Sequence, residues 1–200
     1  MKDIVLGTLN PGKTREMREI LEPFGLTILS LRDFPPILPP VEVGHSFREN
    51  AEIKASCYSL ETALPCIADD SGLSVDVLGG EPGIYSSRYA GEGASDEDNI
   101  ERLLEVLAGH PRPWAARFVC SAAYAEEGRV VAVCDGVLAG EIVPDRRGSS
   151  GFGYDPVFHL PERGVTVAEL AMEEKNRISH RRKAMEGLMM QLKEKNVIRY

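Results

Sequence analysis

The chain has 200 residues, of which 43% are hydrophobic, so it can bury one sizeable core. Its 31 acidic residues outnumber its 23 lysines and arginines, and the formal net charge of −8 disfavours a protein that binds nucleic acid or a membrane surface. No stretch approaches the roughly 20 apolar residues of a membrane span and no secretory signal pattern begins the chain, so we expect a cytoplasmic protein.

Extended and helical apolar patterns alternate through the first part of the chain. In order, the predicted elements are a strand over Asp3–Thr8, a helix over Arg15–Phe24, a strand over Leu26–Leu31, a proline-rich extended loop over Phe34–Val41 and a helix from Ser46 to about Ala63. Four prolines rule out a helix in the loop, and Ser46 with Glu49 has the form of a capping box.

The second part of the chain is richer in strands. In order, the predicted elements are a brief strand over Pro65–Ala68, a second over Leu73–Leu78, a helix over Asp96–Leu107 capped by Ser95, strands over Trp114–Ala125 and Arg129–Val143, a small helical segment from Thr166 and a final helix over Ile178–Lys195. Glu126–Gly128 predicts a hairpin between the two long strands. We therefore predict an α/β fold with a mixed, strongly twisted sheet and surrounding helices, in a single domain over residues 1–200.

The loop after the first predicted strand carries a phosphate-binding pattern. Gly7 to Thr14 satisfies G-x-x-x-x-G-K-[ST], and backbone N–H groups at a helix N-terminus, joined by Lys13, can hold phosphate oxygens. A P-loop NTPase or kinase is therefore one interpretation. Pro11 lacks an N–H, however, and the antiparallel hairpin does not fit a parallel P-loop sheet, so an ordinary strand-to-helix turn is the other.

Two adjacent carboxylates follow the brief strand that begins at Pro65. Asp69 and Asp70, just past its predicted end, lie where open α/β sheets usually bind ligands. Magnesium commonly bridges protein carboxylates to substrate phosphates, and a neighbouring carboxylate can accept the proton of an attacking water. Glu42 and Glu49 are further oxygen candidates. A local turn, in which the aspartates satisfy backbone N–H groups, is the alternative.

Two later segments could contact a nucleotide. The stretch from Gly151 to Pro156 joins flexible glycines to two aromatic residues and an acid, which suits stacking on a base, although a turn packed on the core explains it equally well. Lys175, His180, Arg181 and Arg182 are predicted at the start of the last helix, where the helix dipole also favours anions. A solvated charged face is the alternative there.

Together these segments resemble the inosine triphosphate pyrophosphatase family, also called Ham1-like. The matching stretches are TLNPGK (8–13), SFRENAEIKA (46–55), ADDSGLSVDVLGGEPGIYSSRYAG (68–91), GFGYDPVF (151–158) and EEKNRISHRRKA (173–184). The resemblance implies a two-lobed α/β fold with a central substrate cleft, usually a homodimer. It also implies Mg²⁺-dependent cleavage between the α- and β-phosphates of altered purine nucleotides, such as ITP, dITP and XTP.

The resemblance also implies residue roles. The triphosphate would be held by the opening loop, namely Thr8, Leu9, Asn10, Pro11, Gly12 and Lys13. Glu42 and Asp70 would bind the metal, Asp70 would be the general base, Ser71 would contact substrate, and Asp69 would support the metal through water. The nucleotide pocket would comprise Phe152, Gly153, Tyr154, Asp155, Lys175, His180 and Arg181, with Phe152 stacking on the purine.

One position departs from the family pattern. The family usually has glycine where this chain has Leu9, and non-glycine residues resist positive φ. We therefore predict that Leu9 adopts an ordinary φ and that Asn10 makes the main polar contact of the loop with phosphate.

Overall fold

The computed structural model describes residues 3–198, which form seven strands and five α-helices. The strands are β1 (Asp3–Leu6), β2 (Thr27–Ser30), β3 (Cys66–Val75), β4 (Trp114–Glu126), β5 (Arg129–Ile142), β6 (Phe158–Leu160) and β7 (Val165–Thr166). The helices are α1 (Pro11–Leu21), α2 (Phe47–Glu61), α3 (Asp96–Leu107), α4 (Met172–Ile178) and α5 (His180–Glu194). Within the described residues, none of these helices has the length and apolar character needed to cross a membrane.

The strands form one mixed sheet in the order β2-β1-β3-β4-β5-β6-β7. β1 pairs in parallel with β2 and β3, whereas β6 pairs antiparallel with β5 and β7. Between β4 and β5, Glu127 and Gly128 have φ values of 48° and 75°, the left-handed pair that a tight hairpin turn requires. The predicted α/β fold with a mixed sheet is confirmed, and so is the predicted hairpin.

Contacts divide the chain into two compact units. The first unit extends from the N-terminal end to Ser71 and also includes Cys120–Gly136 and the chain from His180 onward. The second unit comprises Gly72–Val119 and Val137–Ser179. That residues 1–200 act as a single domain stays a prediction.

In the first unit, alternate residues of the strands face two separate apolar clusters. Ile4 and Leu6 of β1 pack with α1 and α5, whereas Val5 packs with α2. The alternation continues in β3, where Ile67 faces the first cluster and Ala68 the second. Because side chains two apart share one face of a strand, helices cover both faces of this part of the sheet. This explains why β1 is a continuous apolar run.

The second unit has its own apolar core around α3. Ile100, Leu103 and Leu107 of α3 are buried in one cluster with β3, β4 and β6, as the helical spacing predicts. The Ser95 side chain accepts a hydrogen bond from the Asp98 N–H, so the predicted N-cap is confirmed. The position of α3 is therefore fixed by both its buried face and its first turn.

The structure corrects the prediction that a strand stops before Asp69. β3 runs without a break from Cys66 to Val75, and Asp69 and Asp70 are both buried within it. Its composition resembles a turn, but a buried ion pair holds Asp69 in the strand, so tertiary contacts override local preference. At Gly72 a Cβ atom would lie 2.3 Å from the Ser86 Oγ, so the strand needs glycine there for a close contact.

The final helix predicted over Ile178–Lys195 is confirmed as α5 (His180–Glu194), but a separate helix, α4, ends directly before it. Ser179 between the two helices has extended angles (φ −64°, ψ 151°). Serine with extended angles is typical of the residue before a helix, which explains the break. Lys175 therefore lies in the last turn of α4, not at the start of the final helix as predicted.

α5 packs directly on β5 because glycine stands at both points of contact. A Cβ atom at Gly136 would lie 2.1 Å from the carbonyl oxygen of His180, and one at Gly187 would lie 2.3 Å from the Cys134 Sγ. Larger residues at these positions would push the helix off the strand. The close approach fixes the start of α5, which carries His180 and Arg181.

Candidate active site

The loop between β1 and α1 is organised around Asn10. Its side-chain Oδ1 accepts a hydrogen bond from the Lys13 N–H at 3.1 Å and so caps α1. Pro11 follows at the start of the helix, where its missing N–H leaves no bond unmade. With its oxygen used in the cap, the exposed Asn10 side chain presents its NH₂ group, which can donate to a ligand oxygen.

The prediction for the backbone at Leu9 is confirmed. Among the described residues, the non-glycine positions with positive φ are Ala63, Glu127 and Asn196, so Leu9 has an ordinary φ. The loop therefore accommodates leucine in place of the family's glycine without left-handed strain. The contact of Asn10 with phosphate stays a prediction.

Lys13 and Asp69 form the first ion pair of the site. The Lys13 Nζ lies 3.3 Å from Asp69 Oδ2, and the lysine side chain is 14% exposed while the carboxylate is fully buried. α1 supplies the lysine and β3 the carboxylate. The ammonium therefore lies between a buried negative charge and the solvent, where an incoming anion could compete for it.

Arg181 lies at the centre of a buried network of charged and polar side chains. Its guanidinium donates from Nε and Nη2 to Asp69 Oδ2, both at 3.1 Å, and from Nη2 to Ser71 Oγ at 2.8 Å. It also donates to Glu16 Oε2 of α1. Arg181, Asp69 and Glu16 are each 1% exposed. The guanidinium thus joins α1 and the first turn of α5 to β3.

These charges hold Asp69 in its ionised form. Burial by itself raises the pKa of Asp69, but the positive charges of Lys13 and Arg181 outweigh burial and hold that pKa well below its ordinary value. Burial likewise lowers the pKa of Arg181, and its two carboxylate partners outweigh that effect and raise it. Asp69 is therefore an anion throughout the physiological range. A carboxylate so strongly stabilised as an anion is a poor proton acceptor.

Asp70 lies in a second, neighbouring group of polar side chains. The Lys54 Nζ of α2 donates to Asp70 Oδ1 at 2.8 Å and to Glu42 Oε2 at 3.3 Å. Burial lowers the pKa of Lys54, but nearby negative charges, led by that of Asp70, outweigh burial and raise it. One ammonium group therefore draws two carboxylates from distant parts of the sequence to the same place.

Asn50 explains why Glu42 lies near Asp70. Its Oδ1 accepts a hydrogen bond from the Gly44 N–H at 2.9 Å, and its Nδ2 donates to Asp70 Oδ2 at 3.4 Å. A Cβ atom at Gly44 would lie 2.6 Å from that Oδ1, so the close contact needs glycine. The buried amide thus holds the end of the proline-rich segment, with Glu42, beside β3.

The carboxylates fit a metal ion that takes most of its ligands from water and substrate. Within residues 3–198, no three His, Cys, Asp or Glu side chains come together as a complete metal site. Glu42 and Asp70 approach one ammonium group, so both can face one cation. Mg²⁺ usually keeps several waters and binds one or two carboxylates plus phosphate oxygens, which this pair matches. Buried Asp69 Oδ1 has no hydrogen-bond partner within that range, so it can accept one from a water.

The second unit carries an aromatic loop, defined as residues 151–155. Lys175 Nζ donates to Asp155 Oδ2 at 2.6 Å, and both side chains are almost completely buried. The same ammonium lies 4.6 Å from the ring centroid of half-buried Phe152, and Asp155 Oδ2 accepts the Phe152 N–H at 3.0 Å. The ring is therefore oriented by a cation on its face and by its own fixed backbone.

The rest of the aromatic loop is held by backbone contacts. Tyr154 is buried, and its hydroxyl donates to the carbonyl oxygen of Ser86 at 2.8 Å. Gly151 and Gly153 have φ values of 84° and 60°, and a Cβ atom at Gly151 would lie 2.0 Å from an oxygen of Asp155. Both glycines therefore meet a backbone requirement of the loop.

The structure brings the predicted residues together as two groups. The first unit holds Thr8, Leu9, Asn10, Pro11, Gly12, Lys13, Glu42, Asp70, Ser71, His180 and Arg181. The second unit holds Phe152, Gly153, Tyr154, Asp155 and Lys175. Asn50, Lys54 and Glu16 received no role from sequence. Asn50 and Lys54 are one turn apart on the buried face of α2, beside Ala51 and Ala55, and polar residues on an apolar face were the available signal.

The opening loop does not have the geometry of a P-loop. The Thr14 hydroxyl, which would face the metal in a P-loop, donates to the carbonyl oxygen of Asn10 at 3.0 Å. The Gly7 N–H donates to the carbonyl oxygen of Ile67 at 2.8 Å and so does not point at a ligand. The mixed sheet also differs from the parallel sheet of P-loop enzymes.

The chain is similar to proteins of known family. The sequence model of the Ham1 family matches residues 4–191. A dITP/XTP pyrophosphatase of Geobacillus kaustophilus is 51% identical over 195 residues, covering 97% of this chain and 96% of that protein. The protein of the same name from Escherichia coli is 47% identical, covering 94% and 97%. The solved structure of a HAM1 protein from Coxiella burnetii is 42% identical with a TM-score of 0.85, covering 97% of this chain and 100% of that one.

Proposed function

This chain belongs to the Ham1 family, and we propose that it hydrolyses ITP, dITP and XTP to the monophosphate and pyrophosphate, which clears these altered nucleotides from the nucleotide pool. Its relatives named dITP/XTP pyrophosphatase support this activity and decide against a P-loop NTPase or kinase. The observation that carries the proposal is the pair of carboxylates, Glu42 and Asp70, that converge on Lys54.

The charges around Asp69 and Asp70 support a divalent metal as cofactor. The cationic side chains in the ion pairs there are Lys13, Lys54 and Arg181, and the carboxylates are Glu16, Glu42, Asp69 and Asp70. These ion pairs have no positive excess with which to receive a triphosphate. Nucleotide pyrophosphatases typically need a divalent metal, and we propose that Glu42 and Asp70 hold Mg²⁺ here. When bound, Mg²⁺ would neutralise phosphate charge and polarise a phosphoryl oxygen.

Lys13 and the opening loop would hold the triphosphate. The Lys13 ammonium can exchange its contact with Asp69 for a phosphate oxygen, because Arg181 continues to neutralise that carboxylate. The Asn10 NH₂ group, the Gly12 N–H at the start of α1 and the Thr8 hydroxyl would donate to other phosphate oxygens. The dipole at the start of α1 adds a favourable potential for the same anion.

Asp70 would act as the general base. Its surface is 8% exposed, whereas Asp69 is 1% exposed and its Oδ2 is held by Lys13 and Arg181. Lys54 and Asn50 orient the Asp70 carboxylate through its two oxygens. We propose that it accepts the proton of a water that attacks the α-phosphorus in line with the pyrophosphate leaving group.

The aromatic loop would recognise the base. Phe152 would stack on the purine, supported by the Lys175 ammonium at its ring face. In the first unit, His180 and Arg181 are proposed as separate nucleotide contacts. Arg181 is 1% exposed and bonded to Asp69, Ser71 and Glu16, so contact with a nucleotide requires it to exchange one of these bonds. A site that hydrogen-bonds the 6-oxo group of the base would reject adenine. We further propose a cytoplasmic homodimer, on the family resemblance alone.

A substrate panel tests the proposed function. With Mg²⁺ present, kcat/KM for the triphosphates of inosine and xanthosine should exceed that for ATP by about 10²-fold, because an amine at the 6-position leaves a buried donor unpaired. Each reaction is followed by chromatography of the nucleotide product, with Asp70→Asn protein as the background. Equal turnover of ATP, or a nucleoside diphosphate as the sole product, would contradict the proposal.

A further inference from the structure

The aromatic loop is tied to the start of α3 by an aspartate outside the predicted pocket. Asp96, the first residue of α3, accepts a hydrogen bond from the Gly153 N–H at 2.7 Å through its Oδ2. Ser95 caps the helix itself, so the Asp96 carboxylate is not needed for that role. Asp96 is exposed, and the core of the second unit does not depend on it.

A second contact joins the same two segments. Arg146, which precedes the aromatic loop, forms ion pairs with Glu97 and Glu101 of α3. Acidic side chains on one side of α3 therefore hold the chain both before the loop and within it. The Arg146 ion pairs lie at the surface, where such pairs typically contribute little, so the hydrogen bond from the Gly153 N–H to Asp96 carries more of the positioning.

The Gly153 bond acts next to the ring. Gly153 follows Phe152 directly, and its φ of 60° turns the chain between the ring and Tyr154. Asp155 accepts the Phe152 N–H and Asp96 accepts the Gly153 N–H, so the two aspartates hold the backbone on both sides of Phe152. Without the Asp96 bond, the backbone after Phe152 loses its anchor.

We propose that Asp96 is a positioning residue that sets the orientation of Phe152 for base binding. This inference rests on the proposed function, in which Phe152 stacks on the purine. The bond needs an acceptor oxygen at this position and no negative charge as such, so asparagine can replace aspartate and alanine cannot. A residue needed only for helix stability would not show that distinction in substrate binding.

Kinetics of two variants test this inference. Asp96→Ala should raise KM for inosine triphosphate about fivefold, the loss expected for one hydrogen bond, and leave kcat within about twofold. Asp96→Asn should restore KM to within about twofold of the wild-type value. Glu105→Ala, an acidic residue exposed on the same helix, is the matched control and should behave as wild type. A wild-type KM in Asp96→Ala, or equal loss in both Asp96 variants, would overturn the inference.

Hydrogen exchange separates this inference from the proposed function. In the unliganded protein, the peptide containing Gly153 should exchange its amides faster in Asp96→Ala than in wild type and Asp96→Asn. That measurement needs no substrate, so it tests the anchor even if the wild-type protein fails to hydrolyse inosine triphosphate. Failure of turnover would contradict the proposed function, whereas unchanged exchange would contradict the positioning role of Asp96.

Discussion

Replacing Asp70 with asparagine is expected to lower kcat by about 10²- to 10⁴-fold, the usual effect of removing a general base. Asparagine keeps an oxygen that can accept the Lys54 hydrogen bond and loses the long contact from Asn50, so the fold should change little. The measurement is steady-state hydrolysis of inosine triphosphate at saturating Mg²⁺. Asp145→Asn, in an exposed part of the second unit, is the control and should keep the wild-type rate.

The metal titration distinguishes the two roles proposed for Asp70. If Asp70 only helped to hold the metal, raising the Mg²⁺ concentration would restore the rate of Asp70→Asn. We expect a low plateau instead, because asparagine cannot accept the proton of the attacking water. Turnover within about tenfold of wild type at that plateau would exclude Asp70 as the base.

Replacing Arg181 with methionine is expected to lower the free energy of unfolding by about 3–5 kcal/mol, the range for breaking a buried ion pair from one side. The change leaves Glu16 and Asp69 buried without the guanidinium, and of the two ion pairs described for Asp69 the one with Lys13 remains. Urea unfolding followed by far-ultraviolet circular dichroism measures the free energy of unfolding of the variant and of wild type. The neighbouring Arg182→Met is the matched control, since Arg182 pairs with Glu186 on the surface of α5 and should contribute less than about 1 kcal/mol.

The free energy of unfolding that Arg181→Met loses relative to wild type should change with pH in one direction. In wild type the pKa of Asp69 is held below its value in the unfolded chain. Ionised Asp69 therefore contributes fully to the free energy of unfolding above about pH 4, and this contribution is lost only in stronger acid. Without Arg181, burial is less opposed and the pKa of Asp69 in the folded variant rises. The stability difference between Arg181→Met and wild type should therefore narrow as the pH falls from about 8 to about 5. A stability equal to that of Arg182→Met would show that the network is unimportant.

Features decided by neighbours along the chain could be predicted from the sequence. Ser46 and Ser95 were recognised as helix caps, and the turn at Gly128 was recognised from the β-rich runs on either side. These features depend on residues within a few positions of each other, so the local sequence contains most of the required information. The family resemblance likewise predicted roles for Asp70 and Glu42, and the structure brings both carboxylates to the Lys54 ammonium.

Features decided by distant partners could not be predicted in the same way. Asp69 lies in the middle of β3 because Arg181, more than a hundred residues later, neutralises it there. Nothing in the local composition indicates that partner, so the segment resembles a turn. Asn50 and Lys54 were missed for the same reason, since their roles depend on Asp70 and on the loop that carries Glu42. The role of a buried polar residue depends on the groups that it contacts in the folded protein.

The bond that is cleaved can be identified by hydrolysing inosine triphosphate in water labelled with oxygen-18. Attack of water on the α-phosphorus places the label in inosine monophosphate and leaves pyrophosphate unlabelled, which is the result we predict from Asp70 acting on the attacking water. Mass spectrometry measures the oxygen-18 content of both products directly. Label in pyrophosphate would show attack on the β-phosphorus, and labelled orthophosphate with inosine diphosphate would show γ-phosphate cleavage, so either result would contradict the proposed α–β hydrolysis.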